Sequence, residues 1–277
     1  MRDWHIFFRI IKDKIFLGAI LLFSLFSIVP LVLILYYITI KGFGAIHWGF
    51  FVNLPKPVGE PGGGISNAIV GTAILITTAS ILSIPVGLLT GIFLSENKTS
   101  RISGFVRSSV EVIMGVPSII LGIIAYSWVV VPLGGFSAFS GGVALAIMML
   151  PVIIRTTEET LNLVPNDIKE ASLALGVPYY RTVLKVVLPV GLSGIVTGIL
   201  LSIARIAGET APLLFTSFGN PFMNVNIVKP VNSMPLLIYT YATSPYEDWI
   251  SIAWGASFVL VAFVLGLNLI TKLVTRR

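Results

Sequence analysis

Two opposite charges interrupt an otherwise apolar segment of the sequence. Arg205 and Glu209 are the charged residues within Val190–Phe218, and they lie four positions apart. In a helix this spacing places both side chains on one face, where they can pair. A guanidinium group can also donate two hydrogen bonds at once to an oxyanion, so Arg205 is suited to binding a phosphate-type group.

The depth of Arg205 along this segment leaves two interpretations open. It follows Val190 by 15 residues, or about 22 Å of helix, which is past the middle of a hydrocarbon core about 30 Å thick. An arginine facing lipid there would cost at least about 2.5–3.5 kcal/mol, so we expect it to face the bundle interior or water. Gly208 and Pro212 favour a bent or interrupted helix with backbone groups free for a ligand. The pair is therefore either a buried structural ion pair or an anion-binding station on a transport path.

Other reactive groups are scarce. The sequence has no cysteine, and its two histidines, His5 and His47, fit no metal-ligand spacing. It contains no G-x-x-x-x-G-K-[ST] loop for ATP phosphates, and the glycine-rich stretch 59–64 lacks the lysine. The adjacent carboxylates Glu158 and Glu159 would point apart on a helix, which argues against a membrane enzyme. We expect no metal and no cofactor in this chain.

The composition predicts contact with lipid. Hydrophobic residues make up 56% of the chain and charged residues 11%, with a mean hydropathy of +0.97, whereas a soluble domain carries about 25% charged residues. So many apolar side chains cannot be hidden in one core. The net charge of +6 is spread between apolar runs, which is typical of membrane anchoring and not of nucleic-acid binding. We expect membrane lipid and no nucleic acid as a partner.

Six apolar segments predict an all-α, polytopic bundle of six transmembrane helices, with residues 1–277 forming a single domain. The first is too long for the apolar region of a signal peptide, which has about 7–15 residues, so we expect it to be retained. The fourth is short and is expected to continue through Arg155 and Thr156. The segments are Ile15–Ile40, Ile65–Leu94, Val110–Val131, Gly141–Ile154, Val190–Phe218 and Ile250–Leu273.

The basic residues predict the orientation. With six spans, both termini lie on one side, and that side also holds most of the eighteen lysines and arginines. These are Arg2, Arg9, Lys12, Lys14, Lys98, Arg101, Arg107, Arg155, Lys169, Arg181, Lys185, Lys272, Arg276 and Arg277. The opposite side has Lys41, Lys56 and Lys229. By the positive-inside rule, both termini of this multi-pass chain are predicted to be cytoplasmic, in a cytoplasmic membrane.

Small residues predict how the helices pack. Gly87 and Gly91 form one small-xxx-small pair, and Gly194 and Gly198 form another. Such spacing lets helix backbones approach closely in lipid. We interpret both pairs as packing within a compact bundle and not as a dedicated dimer seam.

The predicted cytoplasmic loop 155–189 is too long and too patterned for a plain connection. Asn166 is expected to cap a short helix that Gly176 ends, because glycine commonly follows the last helical residue. A second helical piece, Tyr179–Leu188, is expected to end at Pro189 where the chain enters the membrane. Two short helices that meet at a glycine have the form of a docking element.

Several residues of this loop resemble a known motif. The EAA loop of ABC importer permeases reads Glu-Ala-Ala, three residues, Gly, nine residues, Ile-x-Leu-Pro, and this chain departs from it only at Ser172 and Val186. The matching residues are Glu170, Ala171, Ser172, Gly176, Leu188 and Pro189. The resemblance implies that Glu170–Gly176 is a coupling helix that sits in a cleft of a partner ATPase. ATP and Mg²⁺ would then be bound by that partner.

The charged segment resembles a more specific family. Its run R-I-A-G-E-T-A-P-L-L, from Arg205 to Leu214, is similar to that of the PstA-type permease subunits of phosphate importers. PstC-type sister subunits share R-x-x-G-E-T but continue differently. Further stretches are also similar: Gly115–Ser118, Pro151–Glu159, and Leu236–Tyr239 with Ala242–Pro245 just after it. The resemblance implies that Arg205, Glu209 and Thr210 belong to the substrate path.

The same resemblance implies a fold and a set of partners. The fold would be that of a type I ABC-importer permease, the MetI-like architecture. The chain would translocate inorganic phosphate together with a PstC-like permease, an ABC ATPase dimer and an extracytoplasmic phosphate-binding protein. A permease for another oxyanion, such as sulfate or molybdate, would not be expected to carry the R-x-x-G-E-T-A-P-L-L run. An ion-coupled secondary transporter would need no EAA loop and often shows two matching halves.

Overall fold

A computed structural model of the chain describes residues 2–60 and 62–275. Every regular element in these ranges is helical, apart from an isolated bridge between Phe218 and Val231, so the all-α prediction is confirmed. Arg276 and Arg277, which contribute to the predicted orientation, lie outside the described residues, as do the side chains of Arg2 and His5.

Thirteen α-helices follow one another in the described residues. They are α1 (Arg2–Phe43), α2 (Trp48–Val52), α3 (Ser66–Glu96), α4 (Arg101–Gly115), α5 (Ser118–Ala125), α6 (Val131–Leu133), α7 (Ala138–Asn162), α8 (Asn166–Ala174), α9 (Tyr179–Thr182), α10 (Leu188–Ala207), α11 (Ala211–Leu214), α12 (Met234–Ala242) and α13 (Glu247–Thr275). π-helical turns at Tyr126–Val130 and Val183–Val187 join α5 to α6 and α9 to α10.

Five helical stretches are long and apolar enough to cross a membrane, and a bent pair makes a sixth. The unbroken ones are Lys12–Phe43, Ser66–Glu96, Ala138–Asn162, Tyr179–Ala207 and Glu247–Leu273. The fourth predicted span does continue past Arg155 and Thr156, as expected. The third predicted span, Val110–Val131, is not straight: α4 and α5 meet at an angle of 107°. Pro117 is the cause, since the residue before a proline is driven out of the helical region, and Val116 is extended at φ −75°, ψ 130°.

Helix α7 lies at the centre of the bundle. In the most apolar stretch of α7, 67% of the residues are buried. The corresponding share is 28% in α3 and 28% in the continuous helix that α9 and α10 form. Both neighbours approach it through the glycines singled out in the sequence: Gly87, Gly91, Gly194 and Gly198. A Cβ at Gly91 would lie 2.6 Å from Thr157 Cβ, and one at Gly198 would lie 2.1 Å from Thr156 Oγ1. The predicted packing role of these glycines within the bundle is thereby confirmed.

Helix α1 lies at the outside of the bundle. It packs along α13, where Gly42 faces the backbone of Trp254 and the Cβ of Phe258. Most side chains of its membrane-spanning stretch are exposed in the isolated chain, and none in its most apolar part is fully buried. Such a surface suits lipid or another membrane subunit.

The prediction that the second loop helix ends at Pro189 is wrong. Helix runs continuously from Tyr179 to Ala207, with the π-helical turn Val183–Val187 just before the proline. Proline lacks an N–H and its ring would clash with the carbonyl four residues earlier, at Lys185. Widening the helix to i→i+5 hydrogen bonds relieves that clash. The turn at Tyr126–Val130 precedes Pro132 in the same way.

One further expectation about the loop is corrected. Helix α7 continues to Asn162, so the first eight residues of the predicted loop 155–189 are the last two turns of this helix. Asn166 is the first residue of α8 and not its N-cap, a position that Pro165 occupies without a side-chain cap. Proline suits this place because its fixed φ, here −59°, is compatible with the helix start and it has no N–H to leave unpaired.

Candidate functional site

The charged segment lies at a break between two helices. Helix α10 ends at Ala207, Gly208 follows as its C-cap, and α11 begins at Ala211. The interruption predicted from Gly208 and Pro212 is therefore confirmed. Pro212 lies in the first turn of α11, where its missing N–H is not needed. A Cβ added at Gly122 would lie only 2.6 Å from Pro212 Cα, so the segment after the break packs closely against α5.

Arg205 and Glu209 face each other across this break without a close contact. Arg205 Nε and Glu209 Oε1 are 4.0 Å apart, which is too long for a hydrogen bond. The arginine side chain is 50% exposed and the glutamate side chain 20%. Ala204, Ile206 and Ala207 beside them are buried, so Arg205 projects from the face of α10 that this chain leaves uncovered. The geometry is not that of a buried structural ion pair.

Thr210 completes the predicted path residues. It occupies the N-cap position of α11 at φ −107°, ψ −47°, and its side chain makes no capping hydrogen bond. The residue is half-buried. The break thus brings together a half-exposed guanidinium, a carboxylate and a hydroxyl that is not used for capping. Their predicted role in substrate passage stays a prediction.

The predicted coupling residues divide into two groups. Glu170, Ala171 and Gly176 are exposed on or just after α8, whereas Ser172 is buried, with its Oγ 2.9 Å from Thr182 Oγ1. The hydroxyl that replaces the motif's alanine therefore has a partner on α9. Gly176 adopts φ +77° with no atom near its Cβ direction, which suits the turn from α8 to α9.

The two remaining coupling residues lie where the loop enters the bundle. Leu188 packs against a buried cluster that includes Leu161 and Val187, whereas Pro189 is exposed. Ile168 of α8 packs against the same cluster. Helix α8 is therefore held to the ends of both α7 and α10 by apolar contacts.

Sequence reasoning missed the residue that joins this loop to α3. Glu96 ends α3, and its Oε1 accepts a hydrogen bond from Lys169 Nζ at 2.6 Å. Its Oε2 accepts a hydrogen bond from the Tyr179 hydroxyl. These partners are 73 and 83 positions away in the chain. No local spacing rule could have found them.

A small polar cavity lies beside the same end of the bundle, which we name the loop end. It has a volume of about 190 Å³. Arg107 donates to Glu158 at 2.7 Å and to the carbonyl of Leu94, and Arg155 donates to Glu159 at 2.9 Å. Each arginine is thus paired with a carboxylate, so the cavity offers no free cation for an anionic ligand. Among the described residues, no group of histidines or carboxylates is arranged to hold a metal ion.

Residues 83–277 match the family described as "Binding-protein-dependent transport system inner membrane component". The chain belongs to this family. It is therefore a membrane permease component by descent, in agreement with the helices that can span a membrane. The match covers the broken charged segment and the whole of the predicted cytoplasmic loop 155–189.

Three relatives that align with most of the chain are all named as PstA phosphate transport permeases. The phosphate transport system permease protein PstA of Yersinia pestis is 38% identical over 264 residues, which cover 95% of this chain and 90% of the relative. Its counterpart in Xylella fastidiosa strain Temecula1 is 43% identical over 231 residues, covering 83% and 80%. PstA 1 of Mycobacterium tuberculosis strain H37Rv is 38% identical over 253 residues, covering 90% and 82%. The resemblance to PstA-type permeases seen in the motifs is confirmed.

Solved structures show the same fold. A chain of the inward-facing MetNI methionine ABC transporter superposes with a TM-score of 0.62 at 20% identity, covering 76% of this chain and 94% of that chain. An amino acid ABC transporter solved with histidines gives a TM-score of 0.52 at 19% identity, covering 76% and 94%. The predicted MetI-like permease architecture is confirmed.

Proposed function

We propose that this chain is the membrane-spanning translocation subunit of an ATP-driven importer of inorganic phosphate. The observation that carries the proposal is Arg205, half-exposed and loosely paired at a helix break, in a family member whose relatives are named phosphate transport permeases. Its guanidinium can take a phosphate oxyanion in a bidentate manner.

The break supports such a passing contact. A transported anion must be bound well enough to enter and weakly enough to leave. Glu209 at 4.0 Å can hold the arginine when the anion is absent, without forming the short hydrogen bond that phosphate would have to displace. Thr210 adds a hydroxyl beside the pair, and Gly208 is exposed at the same break. We infer that Arg205, Glu209 and Thr210 form one station on the substrate path.

The coupling loop supports a separate energy source. Leu173 and Leu175 of the α8 region are exposed apolar side chains next to the exposed Glu170, and a helix with such a face suits docking into a groove. We propose that an ABC ATPase dimer, which binds ATP and Mg²⁺, supplies that groove. A PstC-like permease would complete the path, and an extracytoplasmic phosphate-binding protein would deliver the substrate. The chain itself would catalyse no bond change.

The proposed orientation follows from the same loop. With the ATPases in the cytoplasm, the loop end of the bundle and both termini would be cytoplasmic, in a multi-pass protein of the cytoplasmic membrane. The basic residues on the predicted inner side agree with this orientation. Proteolysis of the exposed turn near Gly176 in inside-out and right-side-out vesicles tests it: cleavage is expected only in inside-out vesicles.

The decisive test is phosphate uptake into vesicles that hold the full complex, with ATP hydrolysis followed in parallel. Arg205→Ala and Arg205→Lys are expected to lower uptake by about tenfold to hundredfold, because hydrogen bonds to charged groups contribute about 1.5–3 kcal/mol. Arg101→Ala, at an exposed arginine that begins α4, is the matched control and should transport normally. Normal uptake in Arg205→Ala would remove the arginine from the path.

The same vesicles test the other oxyanions. Sulfate and molybdate also present oxygens that a guanidinium could bind, so their uptake and their competition with phosphate should be measured. Phosphate uptake that a large excess of sulfate leaves unchanged is the expected result. Uptake of sulfate or molybdate in preference to phosphate would replace the proposed substrate and keep the importer architecture.

A further inference from the structure

Glu96 stands at an unfavourable place for a carboxylate. It is the last residue of α3, and the negative end of a helix dipole disfavours an acidic side chain there by about 0.3–1 kcal/mol. Its side chain is only 10% exposed, although it lies at an end of the bundle. A carboxylate held in this environment needs specific partners.

Each oxygen of Glu96 has its own partner on a different loop helix. Oε1 is 2.6 Å from Lys169 Nζ of α8, and the lysine side chain is 17% exposed. Oε2 accepts from Tyr179, the first residue of α9. Arg155 offers a contrast, since it pairs with Glu111 at 3.5 Å with both side chains largely exposed, a type of pair that contributes little. The Glu96 carboxylate is therefore a bridge between three helices and not a surface pair.

The two loop helices already form one unit without Glu96. Ser172 of α8 and Thr182 of α9 are hydrogen-bonded and buried, and Ile168 packs against the cluster around Val187. A displacement of α8 would therefore carry α9 with it. Since helix is continuous from Tyr179 to Ala207, the displacement reaches the turn that holds Arg205.

Helix α3 differs from α10 because it is not continuous with a helix of the loop. It packs along α7 through Gly87 and Gly91, and its Leu88 and Ile92 reach the apolar cluster around Val187 against which Ile168 also packs. The hydrogen bonds from its end to α8 and α9 are made by the carboxylate of Glu96. Apolar contacts are non-directional, so without that bridge the unit of α8, α9 and α10 could slide against the end of α3. With the bridge, directional hydrogen bonds hold the end of α3 to both loop helices.

We propose that Glu96 is a positioning residue that ties α3 to the coupling helix, so that a movement of α8 displaces α3 and α10 together. The inference rests on the proposed coupling role of α8. It predicts that the loss of the bridge separates ATP hydrolysis from transport instead of abolishing both. The quantity to measure is therefore the amount of phosphate taken up per ATP hydrolysed.

The experiment uses the full complex in vesicles and the variant Glu96→Gln, which keeps the side-chain shape but removes the charge. We expect uptake per ATP to fall about tenfold, within the usual range of coupling effects, while ATP hydrolysis and the yield of assembled complex stay near wild type. Glu111→Gln is the matched control at an exposed carboxylate of the same end, and its ratio should not change.

Exchanging the charges of Glu96 and Lys169 gives a second test of the bridge. Lys169→Glu alone places two carboxylates together and is expected to lower the ratio at least as much as Glu96→Gln. The double variant Glu96→Lys with Lys169→Glu restores the opposite charges and is expected to recover most of the ratio. Failure of the double variant to exceed Lys169→Glu in ratio, with both complexes assembled, would overturn the bridge.

The outcomes also separate this inference from the proposed function. A wild-type complex that transports phosphate, with Glu96→Gln unchanged in uptake per ATP, overturns the role of Glu96 and leaves the importer intact. Uptake and hydrolysis that fall in parallel would make Glu96 a merely structural residue and would also overturn the proposal. A wild-type complex that transports no phosphate contradicts the proposed function before any variant is compared.

Discussion

Glu96–Lys169 and Arg205–Glu209 are both acid–base pairs at the end of a long helix, and their geometries are opposite. The first pair is 2.6 Å long and mostly buried, and its carboxylate has a second donor in Tyr179. The second pair is 4.0 Å long with a half-exposed arginine. A buried, hydrogen-bonded charge resists rearrangement, whereas a loose and hydrated pair exchanges partners readily. The bundle is therefore fixed where it would receive force and open where it would meet an anion.

The difference extends to the backbone around each pair. At the loop end, α3 and α10 touch α7 through glycines, and helix passes Pro189 without a break because of its π-helical turn. Around Arg205 the helix ends, and a short segment with Pro212 follows. A continuous helix transmits displacement along its length, and a broken one presents backbone groups to a ligand.

The largest expected effect comes from filling the glycine seam between α10 and α7. Gly198→Leu should prevent folding of the bundle, because even a Cβ there would lie 2.1 Å from Thr156 Oγ1 and no side chain can move far enough. Gly104→Leu is the matched control on α4, since no atom lies within 4 Å of its Cβ direction. The yield of monodisperse protein in detergent measures the effect. Equal yields would show that the seam is not tightly packed.

The next largest effect is expected from removing one partner of each ion pair, which compares Glu96–Lys169 directly with Arg205–Glu209. Lys169→Ala leaves a nearly buried carboxylate without its ammonium partner and should lower the free energy of unfolding by roughly 3 kcal/mol. Glu209→Ala should change it by less than about 1 kcal/mol, since its partner is half-exposed and can be hydrated. Denaturant titration of the purified protein in mixed micelles, followed by circular dichroism, gives both values. Similar losses for the two variants would mean that the second pair is structural as well.

The sequence predicted the elements that depend on local composition. Apolar length predicted the spans, Gly208 and Pro212 predicted the break, and small-xxx-small spacing predicted seams such as that at Gly198. Each of these signals acts within one or two helical turns. The rare position of Arg205 in an apolar run singled it out as a candidate, and its proposed place on the substrate path came from the resemblance to PstA-type permeases.

The sequence could not predict features that depend on direction or on distant partners. Hydropathy does not register the direction of the backbone, so it predicts Val110–Val131 as one span although the chain bends by 107° at Pro117. Pro189 signals a helix end, and only the neighbouring π-helical turn allows the helix to continue. Glu96 carries no local motif, since its partners lie on α8 and α9.

A smaller effect tests how α8 is joined to α9. Ser172→Ala restores the alanine of the EAA motif but leaves the buried Thr182 hydroxyl without its partner, so it should lower the free energy of unfolding by about 1–3 kcal/mol. The double variant Ser172→Ala with Thr182→Val removes both polar groups and should recover most of that loss. The same denaturant titration measures the free energy of unfolding of the wild type, of each single variant and of the double variant. Additive losses would show that the two hydroxyls do not depend on each other.

The smallest effect concerns two glycines that differ in position but not in conformation. Gly176, between α8 and α9, has φ +77°, and Gly134, after α6 at the opposite end of the bundle, has φ +74°, with no atom within 4 Å of either Cβ direction. An alanine at either place should cost about 1–2 kcal/mol, because both positions need a left-handed backbone. If force enters through the loop end, Gly176→Ala should also lower phosphate uptake per ATP, while Gly134→Ala should not. Equal ratios in the two variants would mean that the turn at Gly176 only connects the helices, and the contrast between the two ends would then rest on the ion pairs alone.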